Sequence, residues 1–120
     1  MEVINYPGTE DTPKIILDRN NGIFEISGRS LPEDSAEFYE PVLAWLEEYA
    51  KNPNPETTFI FKLEYFNTAS SKLILDILSK LESISNTTVD WYFHEDDEDM
   101  EEAGCEFSEL VEVPFSFKKY

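Results

Sequence analysis

Residues 57–66 read TTFIFKLEYF, and this stretch decides the fold. Its large side chains alternate between two sides, with Phe59, Phe61, Leu63 and Tyr65 on one and Ile60, Lys62, Glu64 and Phe66 on the other. Successive side chains of a β-strand point to opposite faces of the sheet. The alternation therefore predicts a central strand.

One amphipathic helix is predicted before this strand in the chain and another after it. After Asn67 and Thr68 a helix is expected from about Ala69 to Ser85, because apolar residues recur there at helical spacing: Ile74, Ile77, Leu78, Leu81 and Ile84. Before the strand, Asp34 to Asn52 carry a second stripe: Phe38, Val42, Trp45, Leu46 and Tyr49. Asp34 or Ser35 is expected to cap this earlier helix, and the prolines that follow Asn52 end it.

The ends of the chain supply the other strands. Lys14 to Asp18 and Ile23 to Ser27 are β-branched runs joined by an Asn-Asn-Gly turn, which predicts an antiparallel hairpin. Val89 to His94 predicts a further strand. Asp96 to Phe107 predicts a short acidic helix that ends near Gly104, and Leu110 to Phe117 a last strand, which Pro114 places at an edge or an end.

The order of these elements predicts a single α/β domain over residues 1–120. It is β-β-α-β-α-β-α-β, with a further short strand possible near Val3. Alternation of strands and helices after the hairpin implies right-handed crossovers and a mixed sheet of about five strands with three helices. A chain of 120 residues matches one core, which usually corresponds to roughly 100 to 150 residues.

The charge balance restricts the partners. The formal net charge is −17, which argues against surfaces that follow phosphate backbones or anionic lipid headgroups, so no nucleic acid and no membrane partner is expected. The acidic surface either steers in a partner with a basic face or serves solubility alone.

The cysteine count and the first residues indicate the compartment. Cys105 is the one cysteine, so no disulfide can form within the chain and a reducing environment fits best. The chain starts MEVINYPG, without a basic region or a long apolar run, and it has no apolar stretch near the ~20 residues of a membrane span. The expected location is the cytoplasm.

The turn from the central strand into the next helix is the candidate site, and it reads Tyr65-Phe66-Asn67-Thr68-Ala69-Ser70-Ser71-Lys72. It lies at the carboxyl end of a strand and at a helix N-terminus, whose free N–H groups and positive dipole end can hold a phosphate. Thr68 is therefore a candidate for phosphorylation, and Lys72 could pair with the phosphate or with a carboxylate of a partner. The alternative is that Asn67, Thr68 or Ser70 only caps the helix.

Other chemistry has less support. His94 is the one histidine, and an acidic segment separates it from Cys105. The two residues form no pattern of nucleophile, base and orienting group, so no catalytic residue is predicted. A small enzyme that uses His94 and this segment is the weakest alternative. The run from His94 to Glu102 lacks the spacing of a calcium loop, and no phosphate-binding glycine motif is present, so neither a metal nor a cofactor is predicted.

Together these residues resemble the SiaC family of bacterial regulatory phosphoproteins. The resemblance runs from about Tyr6 to Phe117 and is carried by Pro7-Gly8-Thr9, Thr12-Pro13, Gly28 with Ser30, Pro32-Glu33, Trp45, Tyr65-Phe66-Asn67-Thr68 with Ser70 and Lys72, Asp76 and Trp91. Their order around the Asn-Thr turn is more specific than any single one of them.

The resemblance implies a non-enzymatic partner-switching module with a STAS-like element order, similar in logic to anti-sigma-factor antagonists of the STAS type. Thr68 would be the phosphorylated threonine, and Tyr65, Asn67, Ser70 and Lys72 would contact the kinase or the partner. A SiaB-like kinase would add the phosphate and a SiaA-like phosphatase would remove it. The unmodified form would bind and stimulate a SiaD-like diguanylate cyclase, and so act on cyclic-di-GMP and biofilm formation.

One position departs from the family pattern. Ala69 stands where the family often has serine, which leaves Thr68 and Ser70 in place but removes a hydroxyl from the turn. The rival interpretation is a constitutive protein-interaction or assembly subunit with no phosphorylation switch.

Overall fold

Six strands and three helices make up the structure, a computed structural model that describes residues 1–120. In chain order they are β1 (Ile4–Tyr6), β2 (Lys14–Asp18), β3 (Ile23–Ser30), α1 (Ser35–Lys51), β4 (Thr57–Phe66), α2 (Thr68–Glu82), β5 (Thr87–Phe93), α3 (Glu98–Leu110) and β6 (Phe115–Lys119). The predicted element order is confirmed. The sheet has six strands rather than about five, because the residues after Val3 form the short strand β1.

The sheet is mixed, as predicted, and its strands lie side by side in sequence order. β1, β2 and β3 pair antiparallel, whereas β3, β4, β5 and β6 pair parallel. Each parallel pair is joined by one helix, and right-handed crossovers in one direction place all three helices on the same face. The result is two layers, with one face of the sheet left open.

The core lies between the sheet and the helices. Its 25 buried hydrophobic residues form one cluster. In β4 the side chains of Phe59, Phe61 and Leu63, which alternate to one side of the strand, are buried. From the two predicted helical stripes, Phe38 is half-buried beside the core, while Val42, Trp45, Leu46 and Tyr49 of α1 are buried, as are Ile74, Ile77, Leu78 and Leu81 of α2.

A β-bulge near the end of β4 reverses the alternation there. Gly28 pairs with Leu63 but Arg29 pairs with Tyr65, so Glu64 is an extra residue. One inserted residue moves every following side chain to the other face. Tyr65 therefore does not share the buried side of Phe59, Phe61 and Leu63: it is 48% exposed, and Phe66 instead packs beside the core, 6.0 Å from the ring of Phe107.

The predicted stop near Gly104 is also wrong. α3 continues to Leu110, and Gly104 lies buried within it. A Cβ on Gly104 would lie 2.5 Å from two atoms of the Trp91 indole, so the glycine serves the close approach of α3 to β5. Since α3 takes up the residues to Leu110, the last strand begins at Phe115, and Pro114 precedes it at the edge of the sheet.

None of the three helices has the length and apolar character needed to cross a membrane. The His, Cys, Asp and Glu side chains form no group of three or more that could hold a metal ion.

We predict that Gly104→Ala destabilises the protein by up to about 2 kcal/mol, which is the usual cost of overpacking a core, about 1–3 kcal/mol, less the helix propensity that alanine gains. Alanine favours a helix over glycine by about 1 kcal/mol, so the clash with Trp91 has to exceed that gain. Urea unfolding measures the change, and Glu106→Ala at an exposed position of α3 is the control. A Gly104→Ala variant as stable as the wild type would show that α3 is not held tightly against Trp91.

Candidate functional site: the turn at Thr68

Asn67 caps α2. Its backbone is extended, and its side-chain Oδ1 accepts a hydrogen bond of 2.8 Å from the backbone N–H of Ser70. This is the standard N-cap geometry, in which a side-chain oxygen takes one of the free N–H groups of the first turn. Of the three candidates for the cap, Asn67 is the residue that caps the helix. The hydroxyl groups of Thr68 and Ser70 take no part in the cap.

Thr68 is the first residue of α2, and its side chain is exposed. Its hydroxyl has no hydrogen-bond partner in the chain, whereas its backbone carbonyl accepts from the Ser71 hydroxyl at 3.0 Å. The first N–H groups of an α-helix have no partner within the helix, and aligned peptide dipoles make this end positive. The structure therefore presents a free hydroxyl beside free amide donors.

The start of α2 differs from the starts of the other helices in its charge. The first turn of α1 contains Glu37 and that of α3 contains Glu98, Asp99 and Glu101, but α2 has no acid in its first turn. In a chain with 26 acidic residues, α2 is thus the one helix without a carboxylate in its own first turn. An added anion there meets no acidic side chain within its own turn.

Ser70 does not lie on the surface. Its side chain is fully buried, and its hydroxyl is hydrogen-bonded to Ser30 of β3. Ser30 is in turn 2.6 Å from the hydroxyl of Tyr39 in α1. The prediction that Ser70 itself contacts a partner is contradicted by this burial, because the side chain faces the interior of the turn.

Burial also changes the acidity of Tyr39. Removal from water raises the pKa of its hydroxyl to about 12. A buried phenol resists ionisation because the phenolate would lose its hydration. Tyr39 is therefore a neutral hydrogen-bonding group at physiological pH.

Tyr65 precedes Thr68 by three residues and Lys72 follows it by four, and both are exposed. The exposed ring of Tyr65 lies 5.7 Å from the guanidinium carbon of Arg29, in the range of a cation–π contact. Lys72 is exposed one turn after Thr68, on the same side of α2, and no carboxylate lies within 4.0 Å of its ammonium group. The segment around Thr68 thus exposes an aromatic ring, a hydroxyl and a cation without an ion-pair partner.

Arg29 is the residue that sequence reasoning missed. Arg29 lies beside Tyr65 because β3 pairs with β4 in parallel and the bulge sets the two residues opposite each other. Its Nε donates to the carbonyl of Glu10 at 3.3 Å, which ties the loop before β2 to the same edge. No local pattern marks Arg29, because its position depends on which strands pair.

His94 and Cys105, the one histidine and the one cysteine, both lie on the surface. His94 is exposed, and its Nδ1 accepts from the backbone N–H of Asp96 at 3.3 Å and lies 3.8 Å from the carboxylate of the same residue. Cys105 is exposed on α3. Neither residue is hydrogen-bonded to a residue of the turn at Thr68.

Fold and turn together define a class of protein, namely two-layer α/β domains that present a free hydroxyl where a central strand leads into a helix. The model of the SiaC family of regulatory phosphoproteins matches residues 6–120. The chain belongs to the SiaC family, which confirms the resemblance found in the sequence.

Relatives from Pseudomonas aeruginosa support this assignment. A protein of strain UCBPP-PA14 that is described as uncharacterized is 30% identical over 124 residues, which cover 100% of this chain and 98% of that protein. The crystal structure of apo-SiaC is 30% identical, with a TM-score of 0.87 over 98% of this chain and 99% of that one.

A second solved structure shows a relative with a partner. It is the crystal structure of the diguanylate cyclase SiaD in complex with its activator SiaC from Pseudomonas aeruginosa. The matching chain is 30% identical, with a TM-score of 0.90 over 98% of this chain and 99% of that one. The protein is thus similar throughout its length to an activator of a diguanylate cyclase.

We predict that Asn67→Ala lowers the free energy of unfolding by about 0.5–2 kcal/mol, the usual loss when an N-cap is removed. Thr68→Ala is expected to stay within about 0.5 kcal/mol of the wild type, since its hydroxyl has no partner. Chemical denaturation of both variants measures this contrast. Equal losses for the two would show that Thr68 shares the cap, which would contradict the geometry.

We predict that Tyr39 makes stability fall in alkaline solution. Because the pKa of Tyr39 is raised from 10.0 to about 12, its contribution is complete below pH 10 and is lost as the pH rises towards 12. At about 1.36 kcal/mol for each pKa unit, the difference amounts to roughly 2–3 kcal/mol. Tyr39→Phe should remove this part of the pH dependence, measured as the difference between the two stability curves from neutral pH upward. Parallel curves would contradict the burial of an ionisable hydroxyl at this position.

Proposed function

We propose that this protein is a non-enzymatic cytoplasmic regulator that is switched by reversible phosphorylation of Thr68. The unphosphorylated form binds and stimulates a diguanylate cyclase, and the phosphorylated form does not. The observation that carries the proposal is the free, exposed hydroxyl of Thr68 at the one helix start that lacks an acid. The complex of a full-length relative with SiaD supports the choice of partner.

The turn can accept a phosphate without unfolding. The Thr68 hydroxyl makes no hydrogen bond that the modification would break, and Asn67 keeps the cap. A phosphate at this position carries about −1.5 to −2 charges, which the positive end of the helix and the ammonium group of Lys72 stabilise. The modification therefore changes the surface while α2 stays in place.

The same phosphate opposes docking of a partner that fits the unmodified turn. The N-terminus of α1 lies next to that of α2, since the hydroxyl oxygens of Ser35 and Ser70 are 3.4 Å apart, and Asp34 and Glu37 are exposed there. A partner with a basic face suits this acidic edge. An interface closed over Thr68 would have to desolvate the added charge, and a difference of a few kcal/mol suffices to change the bound state.

The other partners follow from the switch. A SiaB-like kinase adds the phosphate and a SiaA-like phosphatase removes it, so both have to reach Thr68 from the exposed side. Tyr65, Asn67 and Lys72 are the neighbours that they and the cyclase contact. Ser70 acts from beneath the turn, because its side chain is buried.

We predict that phosphorylated protein and Thr68→Asp bind the cyclase at least about tenfold more weakly than the wild type, which corresponds to about 1.4 kcal/mol. Thr68→Ala should retain binding within about threefold, because it adds no charge. Isothermal titration against SiaD of Pseudomonas aeruginosa and against the diguanylate cyclases of the source organism measures the affinities, and cyclic-di-GMP synthesis measures stimulation.

Ser79→Asp is the matched control, since it adds the same charge at an exposed position of α2 about three turns away. Equal affinities of the wild type, Thr68→Ala and the phosphorylated protein would reject the switch. They would favour a constitutive interaction or assembly subunit instead.

A further inference from the structure

We propose that four buried hydroxyl side chains beneath the turn set the position of Thr68, and that Tyr39 acts through them as a positioning residue for partner binding. We call this group the hydroxyl cluster; it consists of Ser30, Ser35, Tyr39 and Ser70. The proposal rests on the function proposed above, because it concerns how the same turn is presented to its partners.

The cluster joins three elements at one end of the core. Ser30 is the last residue of β3, Ser35 and Tyr39 belong to the first two turns of α1, and Ser70 lies in the first turn of α2. Ser30, Tyr39 and Ser70 are 0% exposed and Ser35 is 5% exposed. Water therefore does not compete for these hydroxyls, and their hydrogen bonds are made with one another.

The backbone carbonyl of Ser30 can only accept, and this gives the hydrogen bonds a direction. Ser70 Oγ donates to the carbonyl of Ser30 at 3.1 Å, and Ser30 Oγ donates to Ser70 Oγ at 2.8 Å. The Ser30 hydroxyl has then used its proton, so the contact of 2.6 Å with Tyr39 requires the phenol to be the donor. Tyr39 thus starts a chain of three hydrogen bonds that ends at a backbone carbonyl.

That carbonyl holds the turn from both sides of Thr68. Ser30 O accepts from the backbone N–H of Asn67 at 3.0 Å and from the hydroxyl of Ser70 at 3.1 Å. Asn67 precedes Thr68, and Ser70 follows it by two residues. Because both are tied to one atom of β3, the backbone that carries Thr68 is fixed relative to the sheet.

Hydroxyl groups suit this task better than apolar side chains. An apolar contact has no preferred direction, whereas a hydrogen bond weakens steeply when its angle departs from linear. All four hydroxyls of the cluster have partners, while Thr87 Oγ1 is the one buried side-chain polar atom without any. The cluster therefore specifies where the first turn of α2 stands against β3 and α1.

The experiment compares Tyr39→Phe with Tyr49→Phe. Tyr49 lies on the same helix, is also fully buried, and its hydroxyl is 2.7 Å from Thr57 Oγ1 at the opposite end of β4. Each variant removes one phenolic oxygen from α1. We expect both to lower stability, but only Tyr39→Phe to weaken cyclase binding, by about fivefold or more.

Amide exchange of the free protein gives a readout that needs no partner. In Tyr39→Phe the backbone amides of Ser70 and Ser71 should exchange faster than in Tyr49→Phe at equal global stability, because the first turn of α2 is less constrained. Ser70→Ala should act in the same direction on binding and on exchange. It serves as a second variant if Tyr39→Phe folds poorly.

The outcomes separate this proposal from the switch. If Tyr39→Phe and Tyr49→Phe weaken binding equally, the effect is one of general stability and the positioning role is overturned. If neither weakens binding while Thr68→Asp does, the switch stands and the positioning role is overturned. If Thr68→Asp binds as tightly as the wild type, the proposed function fails and the positioning role fails with it.

Discussion

The parallel pairing of β3 with β4 is the constraint on which the site depends. It brings Ser30 opposite Phe66 and lets the Ser30 carbonyl accept the N–H of Asn67 at 3.0 Å, directly after the strand ends. A parallel pair needs a crossover, and α1 supplies it along the helical face of the sheet. The end of β3, the start of α1 and the start of α2 are thereby brought to one edge.

At that edge the polar groups of α2 have separate tasks. Asn67 accepts a hydrogen bond from a backbone N–H of the first turn, and Ser70 donates one to Ser30 of β3. The side chain of Thr68 between them does neither. A threonine that capped the helix would lose the cap when its oxygen was esterified, and a buried one would be out of reach of an enzyme. Thr68 can change its chemistry at little cost to the fold because its neighbours already hold the helix.

Much of this structure could be predicted from the sequence, because it depends on local periodicity. The residues of β4 and the buried faces of α1 and α2 follow from the spacing of their apolar side chains, and the turn at Thr68 follows from the change of period. The bulge at Glu64, the packed Gly104 and the place of Arg29 could not be found in this way. Each depends on a neighbouring strand or helix far away in the chain, and a glycine that ends a helix looks the same in sequence as one that permits close packing.

Charge magnitude alone cannot explain a switch at Thr68. A phosphate adds about two charges to a protein that already carries −17, and in physiological salt the field of an exposed charge falls off over about 8 Å. The long-range attraction of a basic partner is therefore nearly the same in both states. Discrimination has to arise at the contact itself, where a partner closes over the oxygen of Thr68 and excludes water from it. A contact of that kind depends on where the oxygen stands, so the proposed switch requires a fixed turn, and the hydroxyl cluster beneath Thr68 is proposed to fix it.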